Sequence, residues 1–365
     1  MIVGGGPAGI STWLHLHKYN PELASRTILI EKAKYPRDKV CGGGLGAWSS
    51  IILKQLDIHL DIPSLPISDV EFVYGDEKFT LHQPNQFIMI QRIEFDQMLA
   101  KNAVKRGLKL KESEAFVKME RKNNFIQVKT DKSEYKVNVL VGADGALSMV
   151  RRKMNLSNKP HIAPTLEVYT QVDPQYDSEF DEKKNIVDLT QIKEGLQGYI
   201  WHCPCIKNNT PHMCHGLVDF RIFRDRKKAD MKNILSNILQ SRNKNMKQET
   251  LLGHPIRWFS NEDRISQPNI LLAGDAVGIE PAFGGGIHFA LSYGNVVAKT
   301  INDAFKNNDF SFKDYKQRIQ NHLIGKWIAE CTKIANGIYS GKMNPLEGAR
   351  KVFTIDYDKL NKMVR

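Results

Sequence analysis

The stretch YPRDKVCGGGLG, Tyr35 to Gly46, sets one thiol, Cys41, against Gly42, Gly43 and Gly44, with Arg37, Asp38 and Lys39 just before it. Glycines remove the side chains that hold a backbone away from a flat partner, and the two cations would face an anion. Near the start, Gly4-x-Gly6-x-x-Gly9, with Pro7 and Ala8 inside it, has the spacing that turns tightly, approaches a pyrophosphate and lets a helix pack on a strand. The helix N-terminus that follows offers unpaired N–H groups and partial positive charge to phosphates. Glu31 follows Gly9 by about 20 residues, the interval at which an acid accepts hydrogen bonds from a ribose diol. Asp144 in LVGADGALSMVRR and Asp275 in LLAGDAVGIEPAFGGGIHFA each end an apolar run. They read as cofactor-facing carboxylates or as local Asx-turn and N-cap residues.

These residues need elements to hold them. MIV enters the first glycine turn, Ile10, Trp13, Leu14 and Leu16 mark an amphipathic helix, and RTILIEK is the next buried strand, which makes a βαβ unit. From about Ser68, DVEFVYGDEKFTLHQ alternates as antiparallel strands do, and QRIEFDQMLAKNAVKRG then reads as a helix. Strands return in EAFVKME, FIQVKT and YKVNVLVGADG, and the region from about Pro160 to Ile256 is strand-rich apart from the helix KADMKNILSNILQSR. NILLAGDAVGIEP closes the parallel layer, a long helix runs from Gly286 to about Phe305, and LIGKWIAECTKIANGIY is helical. The expected fold class is α/β with a separate antiparallel sheet and C-terminal helices. Residues 1–67, 88–157 and 262–325 form the nucleotide layer, 68–87 and 158–261 the sheet domain, and 326–365 a helical tail.

Bulk properties narrow the classes. With 365 residues, 41% of them hydrophobic, the chain can bury a full core. No run approaches the roughly 20 apolar residues that span a bilayer, so a cytoplasmic location is expected. Five cysteines give no disulfide framework. The charge of +12 is spread over scattered lysines such as Lys101, Lys105 and Lys109, so nucleic acid is not an expected partner, while peripheral contact with an anionic membrane stays open. His202, Cys203, Cys205, His212, Cys214 and His215 crowd one hairpin, HCPCIKNNTPHMCHG, but lack the ligand spacing of zinc sites, and no metal is expected. No Gly-x-Ser-x-Gly elbow is present.

The glycine triplet, the Asp144 motif and the Asp275 motif, in this order, resemble the flavoprotein hydroxylases of the p-hydroxybenzoate hydroxylase type. That resemblance implies a Rossmann-like FAD-binding domain of the glutathione reductase and p-hydroxybenzoate hydroxylase kind, with an inserted antiparallel substrate sheet over the isoalloxazine. PRDKVCGGGL is similar to a signature of the geranylgeranyl reductase family within that superfamily, and GYIWHCP resembles its substrate-cavity motif, departing at Cys203 where phenylalanine is usual. The resemblance implies FAD contacts at Gly4, Gly6, Pro7, Ala8, Gly9, Glu31 and Lys32, and at Arg37, Lys39, Cys41, Gly42 and Gly43. It implies others at Arg92, Ala115, Asp144, Gly274, Asp275, Pro281, Gly284, Gly285, Gly286 and Ile287. Arg92 competes with a plain surface arginine at a helix start. Tyr199 and Trp201 would line an apolar tunnel or stand as core aromatics.

The implied reaction is hydride transfer from reduced flavin to an isoprenoid carbon–carbon double bond, with Cys41, Tyr199 or His288 as the acid. A monooxygenase that uses NAD(P)H and oxygen is the alternative, and an electron-transfer flavoprotein without an organic substrate is a second one. No second dinucleotide motif is visible, so NAD(P)H would dock transiently or a ferredoxin-like carrier would take its place.

Overall fold

The structure, a computed structural model, describes residues 1–156 and 161–353. The expected junction at 157/158 and residues 354–365 of the helical tail lie outside the described residues. One sheet has six strands in the order Ser266–Gln267, Ile270–Leu272, Leu140–Gly142, Ile2–Val3, Ile28–Ile30, Lys109–Lys111. Every neighbour pair is parallel except the outermost, Ser266–Gln267 against Ile270–Leu272. Parallel neighbours need a crossover, and helix Pro7–Tyr19 supplies the first, entered through a proline whose missing N–H costs nothing there. The sheet's central strands are short apolar runs, and Ile270–Leu272 is buried throughout. Helix Gly286–Asn307 packs on Pro7–Tyr19, where Ser11 donates to the Leu291 carbonyl at 2.6 Å. A Cβ on Gly294 would come within 2.7 Å of the Ser11 Cβ, so glycine sets the closeness of this crossing.

The second sheet forms a roof of eight strands in the order Leu252–Arg257, Ile162–Gln171, Thr210–Val218, Ile200–Lys207, Lys184–Asp188, Ser64–Tyr74, Glu77–Ile90, Gly44–Gly46. Its pairings are antiparallel apart from Lys184–Asp188 beside Ser64–Tyr74. The roof takes in Gly44–Gly46 and strand ends on both sides of the expected 68–87 segment. Helix Met231–Ser241 buries Met231, Leu235 and Leu239, one face of its turn period, against the outer side of the roof with Val168, Ile200 and Leu217. A meander of Phe116–Arg121, Ile126–Thr130 and Glu134–Val137 forms a third sheet, whose Ile126 and Val128 join the core of the parallel layer. Helices Leu323–Tyr339 and Pro345–Phe353 close one end, where Leu346 and Ala349 join Phe72 and Phe79 in a core. Among the described residues no helix is long and apolar enough to cross a membrane.

The histidine- and cysteine-rich hairpin pairs His202 with His215 and Cys203 with Cys214. Strand alternation sends the paired histidines to the outer face and the cysteines to the inner one, so the six residues never gather as one ligand set. Among the described residues no group of three or more His, Cys, Asp or Glu side chains is arranged to hold a metal ion.

Candidate active site

A cavity of about 610 Å³ lies between the two sheets. Its polar half is built of turns. Gly4, Gly6, Pro7 and Ala8 come from the first turn, Glu31 and Lys32 from the end of the second strand, and Arg37, Lys39, Cys41, Gly42 and Gly43 from the loop beyond it. Asp144 and Asp275 follow two further parallel strands, Gly284, Gly285, Gly286 and Ile287 start the long helix, and Arg92 and Ala115 complete the wall. Gly9, Gly274, Pro281 and His288 do not line it. Two of these are packing glycines. A Cβ on Gly9 would fall on the Gly4 carbonyl oxygen, and one on Gly274 would stand 2.6 Å from the Ala8 Cβ. His288 stacks on Trp48 with ring centroids 5.4 Å apart, and burial pushes its imidazole down to about 3, so it is neutral.

The charges in the polar half hold one another in place. Glu31 accepts the Gly5 N–H at 2.8 Å and the Ala33 N–H at 3.0 Å, which ties the first glycine turn to the second strand. Asp96, buried on helix Arg92–Lys105, accepts Nε and Nη2 of Arg92 at 2.7 and 2.8 Å and lies 3.1 Å from Arg37. Arg92 is therefore no surface residue: a bidentate carboxylate fixes its guanidinium, which also lies beside the Cys41 thiol. Burial pushes the Asp275 carboxyl up, and Lys39, Arg92 and Arg257 oppose that rise. Lys39 and Arg257 thus face this carboxylate beside the Arg92–Asp96 pair. Buried donors wait there as well, since Nε of Arg37 and Nη1 of Arg257 have no hydrogen-bond partner among the described residues.

Asp144 accepts the Ser148 hydroxyl at 2.5 Å and the N–H groups of Met149 and Val150 at 2.7 and 3.1 Å, so its carboxylate caps the short helix Met149–Lys153 while it lines the cavity. Glu280, which sequence reasoning missed, accepts N–H groups from Ala282, Phe283 and Gly285 at 2.5, 2.9 and 3.3 Å and wraps the triple-glycine loop around itself. The acid six residues before the last of these glycines was the available signal. The Cys41 peptide is held from both sides, its N–H donating to Glu167 Oε1 at 3.0 Å and its carbonyl accepting the Tyr169 hydroxyl at 3.1 Å. Glu167 and Tyr169 were also missed.

The apolar half is walled by Val70, Phe87, Val187, Tyr199, Trp201 and Phe283, with Phe353 at its end. The Tyr199 hydroxyl donates to the Phe283 carbonyl at 2.6 Å, and burial pushes its phenol far above the ordinary range. Trp201 lies over Gly216, where any Cβ would meet the indole, and its Nε1 stands 3.4 Å from the Cys214 sulfur. Gly42 passes next to it, a Cβ there being 3.3 Å from the same nitrogen. Cys203 faces this half too, and burial pushes its thiol up, so it stays protonated.

Glycine turns thus follow three parallel strands, with a second sheet above them. Residues 1–292 match the family described as FAD binding domain. The chain belongs to this family. Among curated relatives it is 24% identical over 368 residues to digeranylgeranylglycerophospholipid reductase 3 of Methanosphaera stadtmanae, over 95% of this chain and 88% of that one. It is 25% identical over 369 residues to digeranylgeranylglycerophospholipid reductase of Thermoplasma volcanium, over 90% and 86%. In fold it resembles a geranylgeranyl bacteriochlorophyll reductase-like protein from Thermoplasma acidophilum, with a TM-score of 0.78, 21% identity, and 100% and 94% of the two chains covered. It also resembles the flavin-dependent halogenase CmlS, with a TM-score of 0.70, 18% identity, and 99% and 68% covered. The fold is the α/β FAD-binding fold of the p-hydroxybenzoate hydroxylase type, and the protein is an FAD-dependent oxidoreductase.

Proposed function

We propose that the protein saturates carbon–carbon double bonds of a prenyl lipid, with FAD held in the polar half of the cavity. One observation carries the reading: an aromatic-walled apolar half opens onto the glycine turns, so an unfunctionalised chain can lie beside a flat ring with water excluded. Two relatives named as digeranylgeranylglycerophospholipid reductases agree with it.

The residues fit the cofactor. The Arg37 guanidinium stands next to the Gly6 turn, Nη2 being 3.8 Å from where a Gly6 Cβ would be, and its buried Nε lacks a protein partner among the described residues. Gly4, Gly6, Pro7, Ala8 and Arg37 would hold the pyrophosphate, Glu31 and Lys32 the adenosine ribose with Ala115 beside the adenine, and Asp275 a ribityl hydroxyl. Gly9 and Gly274 would act behind them, through packing. Gly284, Gly285, Gly286 and Ile287 would face the pyrimidine edge, where the helix N-terminus, Lys39 and Arg92 favour negative charge. When bound and reduced, FAD supplies the hydride. The chain supplies position: Gly42 and Gly43 admit the ring plane, while Tyr199, Trp201 and Phe283 orient the substrate and keep water out. The donor of electrons is NAD(P)H or a ferredoxin-like carrier, and a lipid substrate brings the protein to a membrane surface.

The test is anaerobic. Protein loaded with FAD and reduced with dithionite is offered a digeranylgeranyl glycerophospholipid and a panel of aromatic compounds. A gain of two hydrogens per double bond in the lipid is the expected outcome. A product that forms only after oxygen is admitted would replace this reading with the monooxygenase, and flavin turnover with a protein donor and no organic product would replace it with the electron carrier.

A further inference from the structure

Resting on the reductase reading, an acid must complete the reaction, and of the carboxyls that line the cavity Glu167 is the one that holds the Cys41 peptide. Tyr199 has its hydroxyl proton committed to the Phe283 carbonyl, and His288 lies outside the cavity. Glu167 is only 1% exposed, lines the cavity from roof strand Ile162–Gln171, and stands against the Cys41–Gly42 backbone that passes under Trp201. One oxygen, Oε1, takes the Cys41 N–H at 3.0 Å and the Tyr169 hydroxyl at 3.3 Å.

We propose that Glu167 is the acid that protonates the second alkene carbon when the protein reduces a prenyl double bond. The O–H bond of its carboxylic acid breaks, a C–H bond forms at that carbon as the π bond opens, and the hydride at the other carbon comes from the reduced cofactor. The carboxylate left behind recovers a proton from water at the cavity mouth, beside exposed Asp38. Re-reduction of the cofactor requires two electrons from an external donor, as one hydride from a nicotinamide or as two single-electron transfers from an iron–sulfur carrier.

The surroundings allow this at neutral pH. Burial pushes the carboxyl up to about 7, against the Cys41 N–H, the Tyr169 hydroxyl and Lys39, while Asp38 adds to the rise. From the neighbouring hairpin come Cys203, Cys205 and Cys214, all kept as neutral thiols by burial. His254, on strand Leu252–Arg257, shares the inner face and is pushed down to about 4 by burial with Lys39, Arg92 and Lys32 adding to the fall, so it brings no charge.

Glu167→Gln keeps the side chain's size and removes its proton. In full-length, FAD-loaded protein reduced with dithionite, the expected result is a loss of about 100-fold in the rate of lipid reduction, within the range for a general acid. The wild-type rate falls as pH rises through about 7, and in E167Q that fall vanishes, while FAD titrates both proteins with equal affinity. The second readout needs no turnover: the infrared carbonyl band of a buried carboxylic acid in the FAD-free protein disappears with a midpoint near 7 and is absent from E167Q. If E167Q does not fold, Glu167→Asp and the wild-type band carry the test, with a shifted pH profile expected for E167D. An active wild type whose E167Q keeps both rate and pH profile overturns this proposal alone, as does a wild type with no band titrating near neutrality. A wild type that leaves prenyl lipid unchanged overturns the reductase reading, and this proposal falls with it.

Discussion

In the polar half of the cavity the chain presents mostly backbone: Gly4, Gly43 and Gly284 have left-handed φ values of 103°, 76° and 67°, and a Cβ on Gly43 would fall on the Ile90 carbonyl. In the apolar half it presents side chains, with Phe283 edge-on to Phe353 at 5.2 Å between centroids and Tyr199 tilted against Trp201 at 5.9 Å. A wall of backbone fails when one methyl is added, because a neighbouring main chain has nowhere to go. A wall of side chains can be recut one residue at a time. The first half therefore constrains what kind of molecule binds, and the second half constrains which substrate.

The largest effect should come from breaking the backbone half where it is tightest. Gly9→Ala must push helix Pro7–Tyr19 off the first strand, at a cost of more than about 3 kcal/mol. The expected protein melts earlier and retains no flavin absorbance, and a yellow protein of unchanged melting temperature would refute the steric account. Next comes Glu167, at the boundary of the two halves. Its folded-state value of about 7 lies above the ordinary 4.5, so its favourable contribution is complete below 4.5 and is lost as pH rises through about 7. Chemical unfolding should become easier by about 3 kcal/mol across that window, and E167Q should flatten the slope. The smallest effect should come from the side-chain half. Phe353→Ala trims the far wall, and KM for a prenyl lipid should rise about 10-fold, equivalent to about 1.4 kcal/mol, with kcat and FAD affinity unchanged within about twofold. Loss of FAD binding in F353A would mean that the halves are not independent.

The same contrast governs what could be read from the chain. Gly4, Gly6, Gly9, Asp144 and Gly284 to Gly286 announce themselves because the demand on each is local: a turn, a close approach or a helix start lies within a few residues. The layers, the long helix and the hairpin Ile200–Val218 followed from hydrophobic period for the same reason. Glu167 and Tyr169 were hidden because they occupy the polar side of an alternating strand, which reads as a solvent face. Here Leu166 and Val168 face helix Met231–Ser241, and the polar side is turned into the cavity instead. Asp96, which locks Arg92, looked like an ordinary helical carboxylate, and only the arrival of Arg37 from a distant loop makes it the anchor of two guanidinium groups. His288 misled in the opposite direction. Its place beside the glycines suggested chemistry, yet the first turn of the helix rotates its ring onto Trp48, away from the cavity.

Gly216 never touches the open space, yet it governs its outline. The indole of Trp201 rests flat on a strand only because the facing position carries a hydrogen atom, and the loop through Gly42 then slides beneath the same ring. Exchange of that hydrogen for a methyl would lift the indole like a wedge, narrowing the chamber and displacing the thiol-bearing loop together. The outline of the apolar half can thus be retuned from behind the wall, by a residue that no inspection of ligand contacts would single out.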